Sequence, residues 1–226
     1  MLRAIIDKLP LTFRDKYRAT WHAARVEISI ITGKFVRLLH RPALPDNPDG
    51  SMNIHLGCGS INHPAFVNID GIPAQHIHYV RRINKLSPFR DSSVDLIYAC
   101  HCLEHFSHKQ ILKVLKEWHR VLKKGGVLRV SVPDFDSMVD LYLATGRDIQ
   151  YVLAPLMGGQ GAKYNHHMTL FNEASLSRLI IDAGFTKVQK WVPGSSEMTT
   201  FDDWSGRIIL FDDRTFPISL NLEAVK

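Results

Sequence analysis

Cysteine is scarce in this chain: three in 226 residues, at Cys58, Cys100 and Cys102. An odd number, with two of them separated by one residue, does not build a disulfide framework, so buried reduced thiols are expected. Long apolar runs are missing too. Nothing approaches the roughly 18 uninterrupted apolar residues of a membrane span, and no secretory-type apolar core opens the sequence. A cytoplasmic location is the expectation. There is no internal repeat and no low-complexity tract. Aromatic residues make up 9% of the chain, and beyond residue 51 they are not interleaved with bases as a surface tracking a phosphate backbone requires. Nucleic acid is therefore not the expected substrate, although the basic N-terminus keeps that question open.

What is present is unevenly placed. Residues 1–41 hold nine of the Lys and Arg residues against Asp7, Asp15 and Glu27, so this stretch carries the whole formal charge of +6. Apolar residues alternate with charged ones at helical spacing from about Thr12 to Leu39, with Gly33 as a candidate break. A basic amphipathic stretch of this kind rests on an anionic membrane surface or packs as helices over the following domain. The packed arrangement is preferred, because surface charge alone carries little information about contacts. Residues 42–51 contain three prolines and an Asp-Gly pair and read as a linker. Residues 52–226 form the main domain, with 1–41 as a basic helical extension.

Within that domain strands and helices alternate. Asn53–Cys58, Ala65–Asp70, Ile77–Ile83 and Val94–Cys100 read as strands, the last apolar throughout as in a strand buried on both faces. Ile111, Leu112, Val114, Leu115, Trp118, Val121 and Leu122 form one helical face between Ser107 and Lys124, with Lys123-Lys124-Gly125-Gly126 as a cationic last turn and glycine stop. Val127–Val132 is a strand and Pro133-Asp134 opens a helix. Glu173–Ala183 is helical, and Phe185–Val192 and Ile218–Val225 close as a hairpin pair across a long loop. Such alternation predicts an α/β fold with a mainly parallel sheet.

The first motif is Leu56-Gly57-Cys58-Gly59 at the end of the first strand. Glycines there allow a sharp turn and close approach to a ligand. Asp70 ends the next strand, where a carboxylate can accept hydrogen bonds from both hydroxyls of a ribose. Ten residues separate Gly59 from Asp70, with Pro64 among them, which leaves no room for a helix whose N-terminus would hold a pyrophosphate. A ligand with a ribose and no phosphate fits better. The plain alternative is a strand–turn–strand connection.

Together with Asn68-Ile69-Asp70, Pro88-Phe89-Arg90-Asp91-Ser92-Ser93-Val94-Asp95-Leu96-Ile97, Leu103-Glu104-His105, Arg120-Val121-Leu122-Lys123-Lys124-Gly125-Gly126 and Ala183-Gly184-Phe185, these motifs resemble the class I, S-adenosylmethionine-dependent methyltransferases. The resemblance runs from about residue 52 to 226 and is nearest to small bacterial members with a shortened first loop, found in surface-polysaccharide and natural-product clusters. It implies a Rossmann-like, seven-stranded, mostly parallel sheet flanked by helices. It also implies S-adenosylmethionine as cofactor, held by His55, Gly57, Cys58, Gly59, Asp70, Gly71, Ile83, Asn84, Cys100 and His101. In that scheme the Gly57–Gly59 turn lies beneath the methionine end, Asp70 holds the ribose, and Ile83 and Asn84 flank adenine. His55 stands where the family often has an acid, and Arg82-Ile83-Asn84 where many members have Asp.

The second motif, Cys100-His101-Cys102-Leu103-Glu104-His105, follows the fourth strand at the edge where open α/β sheets bind ligands. A hydroxyl acceptor must lose a proton, and histidine suits a general base near neutrality. The catalytic candidates are His101, Glu104 and His105, with His166 and His167 at the end of the glycine-rich loop Gly158–His167. His101, Glu104 and His105 fall at i, i+3 and i+4, so that with His166 or His167 they could alternatively hold a divalent metal; no metal is the preferred expectation. The Asn/Asp-Pro-Pro-aromatic motif of methyltransferases acting on base or glutamine amino groups is absent. The expected activity is O-methylation of a small hydroxylated acceptor. A non-catalytic methyltransferase-like scaffold that engages a partner or membrane through residues 1–41, and aminopropyl transfer, are the alternatives; a homodimer is compatible with all three.

Overall fold

The computed structural model describes residues 28, 31–37, 39–160, 165–195, 198–199 and 202–226. The first 27 residues, which carry most of the expected basic extension, lie outside the described residues, as do 161–164 of the glycine-rich loop.

Among the described residues nine strands form two sheets: β1 (Asn53–Leu56), β2 (Val67–Asp70), β3 (Tyr79–Val80), β4 (Val94–Cys100), β5 (Leu122–Pro133), β6 (Thr186–Lys190), β7 (Ile208–Phe211), β8 (Arg214–Pro217) and β9 (Ser219–Val225). Seven of them make the main sheet, in the order β3-β2-β1-β4-β5-β9-β6, and β7 pairs with β8 alone. The pairings from β3 through β5 are parallel, whereas β9 runs antiparallel to both β5 and β6. The α/β class, the parallel sheet and the closing hairpin pair agree with the expectation.

The alternation of the strands divides the core in two. Ile54 and Leu56 of β1 face helix α1 (His108–Val121), whose Ile111, Val114, Leu115, Trp118 and Val121 are buried against the sheet with Leu176 and Ile180 of α4 (Glu173–Asp182). Successive side chains point to opposite faces. Thus His55 shares the other face with Phe66, Tyr98 and Trp191, a mostly aromatic cluster. Two further helices follow: α2 (Phe135–Ala144) packs on β8, and α3 (Gln150–Met157) packs on α2. Asp134 caps α2 by accepting from the amides of Asp136 and Ser137.

Several boundaries differ from the sequence reading. Helix α1 ends at Val121, and Lys123 to Gly126 belong to β5 rather than to a cationic last turn. The reason is tertiary. The carbonyls of Arg120 and Val121 accept from the amides of Ser92 and Ser93, and Leu122 pairs at once with Val94. Gly125, at φ +80°, serves the irregular start of β5 instead of a helix stop. Helix α3 and the β7–β8 hairpin have no counterpart in the sequence reading; the hairpin turns on Asp212 and Asp213, both at positive φ, as its tight turn demands.

Gly33 is not a break either. Residues 31–37 are helical, and Gly33 is buried where a Cβ would come within 2.5 Å of Pro73. Arg37 donates to the carbonyls of Ala74 and Gln75, and the Arg41 guanidinium lies 4.4 Å over the Tyr79 ring. This short piece therefore packs on the β3 edge, while Ile28, Ile31, Phe35 and Leu39 point outward. Among the described residues no helix is long and apolar enough to cross a membrane.

Candidate functional site

The chain leaves β1 at Leu56 and turns through Gly57 and Gly59, at φ +64° and +55°. A Cβ on Gly57 would stand 2.8 Å from the Cβ of Cys102, so the turn presses directly on the segment that follows β4. No helix intervenes before β2, as the short spacing predicts. Asp70, at the end of β2, closes the turn: its Oδ2 accepts from the Gly59 amide at 2.9 Å and its Oδ1 from the Ile72 amide at 2.7 Å. Each carboxylate oxygen keeps a second lone pair, which suits two adjacent hydroxyls. The open space beside Gly59 and the lack of a helix N-terminus fit a nucleoside ligand without phosphate.

Of the residues expected to hold that ligand, Gly57, Gly59, Asp70 and Gly71 lie together at this turn. Cys58 is there by its backbone only, since its thiol is buried beside Ile77 and Val80. Ile83 is buried in the main core and its carbonyl accepts from the Trp118 indole at 2.9 Å; Asn84 is half-buried next to it. Two assignments fail on geometry. The His55 side chain points away from the turn, edge-on to Tyr98 at 5.1 Å, because β1 alternates its faces. Burial drives its pKa down from 6.5 to about 4, so it is a neutral core histidine. The Cys100 thiol likewise faces the aromatic cluster, with its pKa pushed up by burial and by the nearby Asp203.

The segment after β4 gathers the titratable groups. His101 has φ +49°, a conformation that a non-glycine residue adopts only where its surroundings impose it. Its Nε2 is 2.7 Å from Ser219 Oγ, which in turn donates to the Trp204 carbonyl. The serine proton is thus committed, so His101 Nε2 is the donor and its Nδ1 faces Glu104 Oε1 at 3.3 Å. Glu104 lies in the short turn Leu103–His105 and is fully buried. Neither of its carboxylate oxygens has a hydrogen-bond donor in line, the His101 contact being misdirected. Burial alone would raise its pKa, but contact with His101 and the nearby His105 hold it below the ordinary value.

His167 comes from the glycine-rich loop, which docks back through the Met168 amide on the Glu104 carbonyl. Its Nε2 is 3.8 Å from Glu104 Oε1, and burial lowers its pKa. His105 meets the His167 ring edge-on at 5.1 Å and its Nδ1 contacts the His166 carbonyl at 3.0 Å. A carbonyl can only accept, so Nδ1 carries the proton and Nε2 keeps a lone pair. The His166 side chain itself is exposed. The structure thus joins Glu104, His105 and His167, with His101 touching Glu104 from the other side, and leaves His166 out of the cluster.

Sequence reasoning missed the other wall of this edge. Tyr98 donates to Asp203 Oδ2 at 2.5 Å, and Asp203 Oδ1 accepts from both the amide and the hydroxyl of Ser205. This network holds Trp204, 56% exposed, beside the His101 ring. No periodicity marks residues 198–206, so only the Trp-flanked Asp203-Trp204-Ser205 polar pattern could have drawn notice.

Comparison with known proteins is consistent with this geometry. Residues 66–130, from the entry to β2 into β5, match the family model described as a methyltransferase domain. No curated protein matches the chain in sequence. Among solved structures, a methyltransferase of Thermotoga maritima is 16% identical over 95% of this chain and 97% of its own, with a TM-score of 0.48. One from Archaeoglobus fulgidus is 14% identical over 95% and 98%, with a TM-score of 0.48. A Burkholderia thailandensis N1-methyltransferase solved with 1,6-didemethyltoxoflavin and S-adenosylhomocysteine is 14% identical over 95% and 85%, again with a TM-score of 0.48. Likeness at this level transfers no acceptor. Residues 66–130 thus match a methyltransferase domain, and they lie within a seven-stranded, mostly parallel sheet with one reversed strand, the Rossmann-like architecture that the sequence motifs predict.

Proposed function

We propose that this methyltransferase acts on the hydroxyl oxygen of a small acceptor, with a sugar of a surface glycan or a natural product as the first class to examine. The observation that carries the reading is the histidine cluster at the Gly57–Cys102 junction, where His105 Nε2 and a neutral His167 ring offer proton acceptors. When bound, S-adenosylmethionine supplies a methyl group on a positively charged sulfur, open to in-line displacement.

Asp70 would hold the ribose hydroxyls, already positioned by the Gly59 and Ile72 amides. The Gly57–Gly59 backbone would lie under the methionine end. His105 Nε2 would take the acceptor's hydroxyl proton as the oxygen–methyl bond forms and the sulfur–methyl bond breaks, and would release it to solvent afterwards. Glu104, behind the histidines, favours the imidazolium formed in that step. Trp204 offers an exposed ring face against which an acceptor ring can stack.

The test is calorimetric titration of the full chain with S-adenosylmethionine, with NAD⁺ as control, followed by transfer of labelled methyl to sugars, phenols and amines. Binding of S-adenosylmethionine alone and label on hydroxyl acceptors are expected. Absence of binding would leave the non-catalytic scaffold reading standing; label on amines alone would overturn O-methylation.

A further inference from the structure

The Glu104 carboxylate is fully buried, yet both its oxygens lack hydrogen-bond donors. A carboxylate in that position costs several kcal/mol unless something neutralises it. The neighbours available are rings. His105, His167 and Glu104 each offer a ligand atom, and these atoms lie within 4.8 Å of one another, a spread that one ion at the centre could span with bonds of about 2.0–2.2 Å after small side-chain adjustments.

We propose that Glu104, His105 and His167 form a binding site for a divalent first-row transition ion of the Zn²⁺ or Mn²⁺ class. Two imidazoles and one carboxylate are a ligand set that such ions take while leaving positions open. The tautomer is prepared for it. His105 donates Nδ1–H to the His166 carbonyl, which leaves Nε2 unprotonated and free to ligate, the arrangement by which a backbone carbonyl orients a metal-bound histidine. The Glu104 backbone is fixed by the Met168 and Thr169 amides on its carbonyl, so the loop that brings His167 is tied to the residue it would share the ion with. His101 touches the same carboxylate from behind and has its Nε2 committed to Ser219. It lies outside the three ligand atoms that come within 4.8 Å of one another, so it is not one of the proposed ligands, and the exposed His166 takes no part. This departs from the sequence expectation of no metal and from the alternative set His101, Glu104, His105 and His166. An ion here would replace His105 as the group next to the acceptor oxygen, an oxygen ligand completing its coordination. That role rests on the methyltransferase reading; ion binding itself does not.

The experiment uses the untagged full chain after EDTA treatment, titrated with Co²⁺ and followed by visible absorption, then by competition with Zn²⁺ and Mn²⁺. One equivalent of Co²⁺ is expected to bind and to give d–d bands, which Zn²⁺ or Mn²⁺ displaces. Glu104→Gln, which preserves shape, and His105→Ala, at a half-exposed position that folding tolerates, should each weaken binding by at least about a hundredfold, since loss of groups beyond the ligands alone costs about 10–100-fold. His166→Ala should bind as the parent does. Circular dichroism confirms folding of each variant. The proposal is overturned if the parent binds no ion below about 1 mM, or if folded Glu104→Gln and His105→Ala bind as well as the parent. Neither result touches S-adenosylmethionine binding, which calorimetry measures separately.

Discussion

Asp70 and Glu104 are both single carboxylates at the same edge of the sheet, on either side of the Gly57–Cys102 contact, and their surroundings could hardly differ more. Asp70 is half-exposed, and two backbone amides fix it. Glu104 is wholly buried, without a donor to either oxygen, and its neighbours are histidines. The first is a passive acceptor whose orientation is settled by its own strand end. The second is a charge that depends on rings delivered from a loop about sixty residues further along, and whatever it does it does through them. On the proposed function, cofactor binding and acceptor chemistry would sit on adjacent but separable devices.

The widest separation should come from His105→Ala. Loss of a general base costs about 10²–10⁴ in turnover, and S-adenosylmethionine affinity should stay near that of the parent when both are measured by calorimetry and methyl-transfer rate. A matching loss of cofactor affinity would break the comparison by showing one coupled site.

His55 sharpens it from beneath the cofactor turn. Its folded pKa is lowered to about 4 from 6.5, so below about pH 6.5 the unfolded chain binds a proton that the folded chain refuses. Stability present above pH 6.5 should fall as the pH drops toward 4, by an amount on the order of 3 kcal/mol at most. His55→Leu should flatten that part of the pH profile in urea denaturation; an unchanged slope would mean that His55 is protonated in its aromatic cluster.

The smallest effect belongs to Asp70→Asn. Replacing a charge-assisted acceptor should weaken S-adenosylmethionine by about 1.5–3 kcal/mol, or roughly ten- to a hundredfold, with turnover at saturating cofactor little changed. Normal affinity would remove Asp70 from the ribose.

Much of the fold around the proposed cofactor turn was legible in the sequence. β4 was read to the residue, and the missing helix between Gly59 and Asp70 followed from the spacing and from Pro64. The histidine cluster was legible only as a set of candidates. His101, Glu104 and His105 look like one helical face at i, i+3 and i+4, but they lie on an irregular turn with His101 at positive φ. That geometry sends His101 to Ser219 and leaves Glu104 to His105 and His167. The choice between His166 and His167 has no sequence signal at all, because adjacent residues differ only in which way the loop faces. The end of α1 was misread for a similar reason: Lys-Lys-Gly-Gly has the composition of a helix stop, and it was Ser92 and Ser93 that took up the last helix carbonyls.

By itself the sequence determined what is local: strands marked by apolar runs, a turn that only glycines can make, and an acid ten residues on with no room for a phosphate-binding helix between. The tertiary structure decided everything that depends on residues far apart in the chain. It turned His55 into the core, brought Ser219 and Trp204 to His101, and set His167 rather than His166 against Glu104. Backbone preference and periodicity act within a few residues, whereas a side chain's partners, charge state and burial are settled only when distant strands and loops close around it.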